Sequence, residues 1–142
     1  MAAYPNVSVA NKYARDIVDG KIVACRFIRL ACQRHFDDLK KSLDKNYPYK
    51  FDRDLAERAC KFVQLLPHSS GELAGQKLKL EPWQSFIFCS IFGWVTKKDK
   101  KRRFREAYIR VARKNGKSFF AAGVGIYTFC ADAVSYTHLR AH

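Results

Sequence analysis

The strongest constraint on this chain is a short cationic turn set between two apolar stretches, Arg113-Lys114-Asn115-Gly116-Lys117-Ser118. Ahead of it, residues 104–111 read as a short strand. Behind it, Phe119, Phe120, Val124, Ile126, Tyr127 and Phe129, interleaved with small residues, read as a helix that can pack closely against a sheet. Strand, Gly-Lys-Ser turn and helix together make the local architecture of a phosphate-binding loop. The turn's backbone N–H groups and the positive end of the new helix hold phosphate, the Lys neutralises its charge, and the Ser hydroxyl ligates Mg²⁺. The full pattern places a Gly five positions before Gly116, where this chain has Val111.

Charge points the same way. Lys and Arg number 27 against 13 Asp and Glu, a net charge of +14 that favours a polyanionic partner such as nucleic acid or nucleotide phosphate. With 48% hydrophobic residues and 14% aromatic, the chain has the composition of a packed body rather than a disordered one. Its 142 residues suit one modest domain. The five cysteines (Cys25, Cys32, Cys60, Cys89, Cys130) form no C-x-x-C pair and sit in apolar surroundings, which points to buried free thiols in a reducing, cytoplasmic setting. The opening Met1-Ala2-Ala3-Tyr4-Pro5 lacks the layout of a signal peptide. The apolar runs at 85–95 and 119–134 are too short to span a bilayer.

Along the chain, a first helix is expected at about 8–19, capped by Ser8 or Asn6 and ended by Gly20. A second, at about 21–45, carries Ile22, Cys25, Ile28, Cys32, Phe36, Leu39 and Leu43 on its apolar face and a cationic opposite face. Asn46-Tyr47-Pro48-Tyr49 breaks it. Asp52 caps a third helix that runs to about Leu66, with Leu55, Ala59, Phe62, Val63 and Leu66 inward. Residues 67–75 form a polar connector in which His68 reads as part of a turn. Residues 77–80 alternate as a short strand or extended lead-in. Pro82 then opens a helix that is apolar almost all round and ends near Gly93. The run Lys97, Lys98, Lys100, Lys101, Arg102, Arg103 reads equally as a nucleic-acid patch or as a solvated turn.

In this order, the blocks resemble the large terminase subunit of tailed bacteriophages and prophages. They are Ala31-Cys32-Gln33-Arg34-His35-Phe36-Asp37-Asp38-Leu39, Leu66-Pro67-His68, Leu80-Glu81-Pro82-Trp83-Gln84, Phe92-Gly93-Trp94, Arg102-Arg103-Phe104-Arg105 and Arg113-Lys114-Asn115-Gly116-Lys117-Ser118. The resemblance runs from about residue 10 to 132, and its specific part is the last block with Pro-Trp-Gln upstream. The family has a degenerate phosphate loop without the first Gly and with an early cation, so Val111 and Arg113 become part of the match.

The resemblance implies an α/β fold: a helical N-terminal region at 1–76, then at 77–133 the first strand, P-loop and helix of a P-loop NTPase sheet, incomplete in this chain. It implies an ATP-driven motor that packages double-stranded DNA into capsids, encoded by a phage or prophage and working in the bacterial cytoplasm. The nucleotide site would comprise Gln84 at the adenine edge, Arg113 over the phosphates, Asn115 and Gly116 in the turn, Lys117 on the β- and γ-phosphates, and Ser118 on Mg²⁺. Partners would be the small terminase subunit and the capsid portal, in an oligomeric ring formed by the full-length protein. The acidic strand end and the catalytic and nuclease carboxylates of the family have no counterpart here, so the chain by itself is expected to be inactive in ATP turnover. Residues 134–142 resemble translated sequencing-adapter read-through, so the spacing of His138 and His142 is not a metal site. Two alternatives remain: a basic, non-enzymatic nucleic-acid-binding module, and another P-loop enzyme such as a helicase or small-molecule kinase.

Overall fold

The computed structural model describes residues 3–67, 75–112 and 117–132. In order, these form α1 (Pro5–Val18), α2 (Arg26–Lys41), β1 (Tyr49–Phe51), α3 (Arg53–Gln64), α4 (Pro82–Gly93), β2 (Trp94–Thr96) and α5 (Lys117–Tyr127), the last running into a π-helical turn, Thr128–Asp132. The result is mixed: mostly helix, with one two-stranded antiparallel sheet pairing Tyr49 with Thr96, Lys50 with Val95 and Phe51 with Trp94. The chain divides into two compact units, one made by residues up to Lys61 with Leu80–Ala107, the other by Phe62–Lys79 and residues from Tyr108 onward. The apolar α4, at the start of the expected ATPase segment, therefore shares a unit with the N-terminal helices.

In the first unit, α1 packs against α2 and α4. Val7, Ala10, Ala14 and Ile17 are its buried stripe, at the three- and four-residue steps of a one-sided helix. It starts at Pro5, earlier than the local pattern suggests, and neither Ser8 nor Asn6 is its N-cap. Its first-turn donors are satisfied from a distance: Glu57 of α3 accepts hydrogen bonds from the backbone N–H of Asn6 (3.2 Å) and Val7 (3.0 Å), and from the Asn6 amide (2.7 Å). A carboxylate at the positive end of a helix is favourable twice over, as acceptor and as charge. This explains why Glu57 is buried. Gly20, at φ +78°, supplies the left-handed residue that lets the chain leave α1.

The second helix is shorter than its pattern suggests. Cys25 is extended and α2 begins at Arg26, ending at Lys41 rather than near 45. Its buried face is also rotated: Cys32, His35 and Asp38 face inward, while Ile22, Ile28 and Leu43 are exposed. Burying His35 and Asp38 is tolerable because each is fully engaged. His35 Nδ1 accepts from the indole N–H of Trp94 (3.2 Å), and its Nε2 lies 3.0 Å from Asn11 Oδ1. Since Nδ1 is an acceptor, the proton sits on Nε2 and is donated to Asn11, which makes the ring neutral. The rings of Phe51, Phe86 and Trp94 stand edge-on to it, at 5.2, 5.8 and 5.8 Å. Asp38 accepts from Tyr47 Oη (3.0 Å) and from Arg103 (2.7 Å).

Asp52 caps α3 as its position suggests, accepting from Leu55 N–H at 3.2 Å. Helix α4 is buried over most of its surface, with Ser85, Phe86, Phe88, Cys89, Ile91, Phe92 and Gly93 inside and Trp83, Ile87 and Ser90 half-buried. The chain passes directly from Gly93 into β2, and the Gly93 carbonyl accepts from Asp52 N–H at 2.7 Å. A methyl group at Gly93 would collide with Phe51 Cε2 and stand 3.0 Å from Ala56 Cβ. Gly93 is therefore required by close approach.

In the second unit the Phe62 and Tyr127 rings meet edge-on at 5.2 Å, and Leu78 N–H donates to Leu66 C=O at 3.3 Å beside a bridge between Pro67 and Lys77. The extended lead-in expected at 77–80 takes that form. The strand expected at 104–111 does not form. A strand exists only when its N–H and C=O groups find a partner, and among the described residues none pairs with this segment; Tyr108 is 91% exposed. Of the expected strand, turn and helix, the described residues contain the helix, α5, beginning at Lys117 as expected.

Two measurements test this packing. Gly93→Ala should destabilise the chain by about 1–3 kcal/mol in urea unfolding, the overpacking cost outweighing the helix-propensity gain; a variant as stable as the parent would contradict the close approach. For His35, burial drives the pKa from the ordinary 6.5 down to about 4, with Asp38 opposing and Arg34 assisting. Both states are neutral at that position above pH 6.5. Between 6.5 and 4 the unfolded chain takes up a proton that the folded one refuses, so stability should fall by about 1.4 kcal/mol per pH unit from this group. His35→Gln should lower stability at pH 7 and flatten that slope. An NMR titration placing His35 near 6.5 would overturn the assignment.

Candidate nucleotide-binding site

Of the residues expected to hold a nucleotide, Gln84 is the one whose side chain the structure describes. It lies in the first turn of α4, half-exposed, and is bound to the start of its own helix. Glu81 accepts from the Gln84 backbone N–H, while Gln84 Oε1 accepts from Glu81 N–H at 2.9 Å, a reciprocal capping box with Pro82 between them. Glu81 is thus a partner that the Glu-Pro-Trp-Gln block already contained, recognisable from an acceptor placed three residues before a Gln. The pairing fixes the Gln84 carboxamide in one orientation. A carboxamide reads an adenine edge by accepting from N6 and donating to N7. Oε1 has a second lone pair for the first of these contacts.

Arg113, Asn115 and Gly116 lie outside the described residues. Lys117 and Ser118 are the first two residues of α5, an eleven-residue helix with no acidic residue in its first turn. Their backbone therefore occupies the positive end of a helix, directly after the cationic sequence Arg113-Lys114-Asn115-Gly116.

The basic segment is more committed within the chain than its composition suggests. Lys97 Nζ donates to the carbonyls of Ser42 (2.9 Å) and Asp44 (2.7 Å), closing the end of α2. Lys100 lies 3.9 Å from Asp52 and Lys101 3.2 Å from Asp99. Asp99 is held below the usual carboxylate range, first by the Thr96 hydroxyl that donates to it and then by Lys101. Arg102 lies over the Phe92 ring, its guanidinium carbon 5.7 Å from the centroid. Arg103 binds Asp38 and lies over the rings of Tyr49 (4.6 Å) and Phe104 (4.9 Å). Lys98 is exposed. These six cations thus line a tight turn, several of them tying it to α2 and to Asp52. Among the described residues no group of three or more His, Cys, Asp or Glu is placed to hold a metal ion, and no helix of those residues is long and apolar enough to cross a membrane.

Residues 82–134 match the family model described as the terminase large subunit, ATPase domain. The matched span opens on the first residue of α4 and takes in β2, the basic turn, the Gly-Lys-Ser segment and α5. No curated protein and no solved structure matches the chain. Gln84, Lys117 and Ser118 all fall within the matched residues. The match supports reading the chain as part of a terminase large subunit, with residues 82–134 as sequence of its ATPase domain.

Proposed function

We propose that this chain supplies the adenine- and phosphate-holding residues of an ATP-driven motor that packages double-stranded DNA. The observation that carries the reading is the position of Lys117 and Ser118 at the N-terminus of α5, within the span matched to the ATPase domain. An ammonium group there neutralises the β- and γ-phosphates, and the helix end and turn amides bind their oxygens. The Ser118 hydroxyl has the chemistry to ligate Mg²⁺, which when bound bridges the phosphates and offsets their charge. Arg113 adds a second cation over the phosphates. Gln84, held by Glu81, presents its amide to the adenine. The net charge of +14 supports a DNA partner. In a full-length protein, a ring of subunits would meet the small terminase subunit and the portal.

Binding of a fluorescent ATP analogue to the 142-residue chain tests this. Lys117→Ala should weaken binding about tenfold to a hundredfold, the worth of a charge-assisted contact. Ser118→Ala should blunt the dependence on Mg²⁺. Gln84→Ala should reduce the preference for ATP over GTP and also lower the melting temperature, since it removes half of a capping box. Binding that is the same in the parent and in Lys117→Ala would falsify the site. Salt-sensitive DNA binding that ignores both ATP and Lys117, and is lost when residues 97–103 are neutralised, would favour the basic-module alternative.

A further inference from the structure

The start of α2 carries an apolar stripe that the first unit leaves uncovered. Val23, in the segment just ahead of the helix, is 100% exposed; within α2, Phe27 is 79% and Leu30 52% exposed, on a helix whose buried face is formed by Cys32, His35 and Asp38. Scattered exposed apolar residues are ordinary. Phe27 and Leu30, at i and i+3 on one face of α2, with Val23 just ahead of the helix, form a seam of the kind that another helix covers. The charges beside the seam define what could cover it. Lys21, Arg26 and Arg29 are all exposed. The first turn of α2 contains no acidic residue, and its N-cap, Cys25, makes no side-chain capping bond. The free amide ends and the helix dipole add to the same positive field. The nearest acid further along the helix, Asp37, accepts from Gln33 at 3.0 Å.

We infer that Val23, Phe27 and Leu30 form a docking seam for an acidic amphipathic helix of a protein partner. Its apolar face covers the seam, and its carboxylates meet Lys21, Arg26, Arg29 and the uncapped start of α2. A second copy of this chain would bring the same cations against themselves, a like-charge juxtaposition. Nucleic acid would satisfy the cations and leave the seam wet. An acidic helix satisfies both features at once, by the helix-in-groove mode of recognition. The inference is independent of the proposed nucleotide site, which involves none of these residues.

The probe is a labelled synthetic helix with Leu on one face and Glu along both flanks, titrated against the 142-residue chain by fluorescence anisotropy. Saturable binding that weakens with salt is expected. Phe27→Ser with Leu30→Ser should weaken it about tenfold or more while leaving the circular dichroism unchanged, because both side chains face solvent. Arg26→Glu with Arg29→Glu should do the same, and Lys117→Ala should have no effect. The inference is overturned if a shuffled peptide of the same composition binds as well, if the double variants bind like the parent, or if no binding is seen. It is equally overturned if the seam residues instead mediate self-association in ultracentrifugation, or binding to vesicles of anionic lipid in place of the peptide.

Discussion

A helix without a polar face must be enclosed, and that requirement organises the first compact unit. Helix α4 presents Phe86, Phe88, Cys89, Ile91 and Phe92 in successive directions, so no single neighbour can bury it. Burying aromatic side chains of this size is worth roughly 1.5–3 kcal/mol each, enough to draw distant segments together. Helix α1 packs along it, and the Phe51 ring reaches the backbone at Gly93, where only a residue without Cβ leaves room. The pairing of β1 with β2 then follows. Once α4 ends at Gly93, Trp94 is the next residue, and the Asp52 N–H already donates to the Gly93 carbonyl.

Enclosure also brings polar groups inside, and Glu57, His35 and Asp38 each join elements far apart in sequence. Glu57 links α3 to the open end of α1. His35 links α2 to Asn11 in α1 and to Trp94 in β2. Asp38 links α2 to Tyr47 and, beyond β2, to Arg103. A buried polar group left without its partner costs more than the bond contributes, so these links act chiefly against alternative packings. The neutral state of His35 belongs to the same logic. In a shell of aromatic rings, a charge on the imidazole would be desolvated on every side, and its one acidic neighbour, Asp38, is already engaged by Arg103.

This division explains what could be read in the sequence. Local signals held: Pro82 at the first position of a helix, Asp52 before one, Gly20 after one, and α5 opening at Lys117. Features created by distant partners did not show. The cap of α1 comes from Glu57, some fifty residues away, so Ser8 and Asn6 were the only local candidates. Strands β1 and β2 have three residues each, too few for an alternating pattern to register. Hydrophobic spacing assigns Ile22, Ile28 and Leu43 to the buried face of α2, whereas hydrogen bonding pulls His35 and Asp38 there instead. Residues 104–111 have the composition of a strand and lack a partner among the described residues, and composition alone does not make a ladder. The basic turn shows the same limit. Its charge is plain in the sequence, and its use in closing α2 and binding Asp38 and Asp52 is not.

The candidate site divides along the same line, and Gln84 shows why. Its place in Pro-Trp-Gln is legible, and so is the family resemblance built on it, which the match over residues 82–134 supports independently. Its local bond to Glu81 adds a physical consequence. A free glutamine side chain loses roughly 1.5–2 kcal/mol of rotamer entropy when it is fixed against a ligand. Here much of that cost is met when α4 folds, because the capping box already holds the carboxamide. In the proposed nucleotide site the base contact would therefore be prepared by the folding of a buried helix rather than by the arrival of ATP. The same bond carries a constraint. In that proposed site Oε1 would be shared between Glu81 and the ligand, so any movement that frays the first turn of α4 would weaken helix and base recognition together.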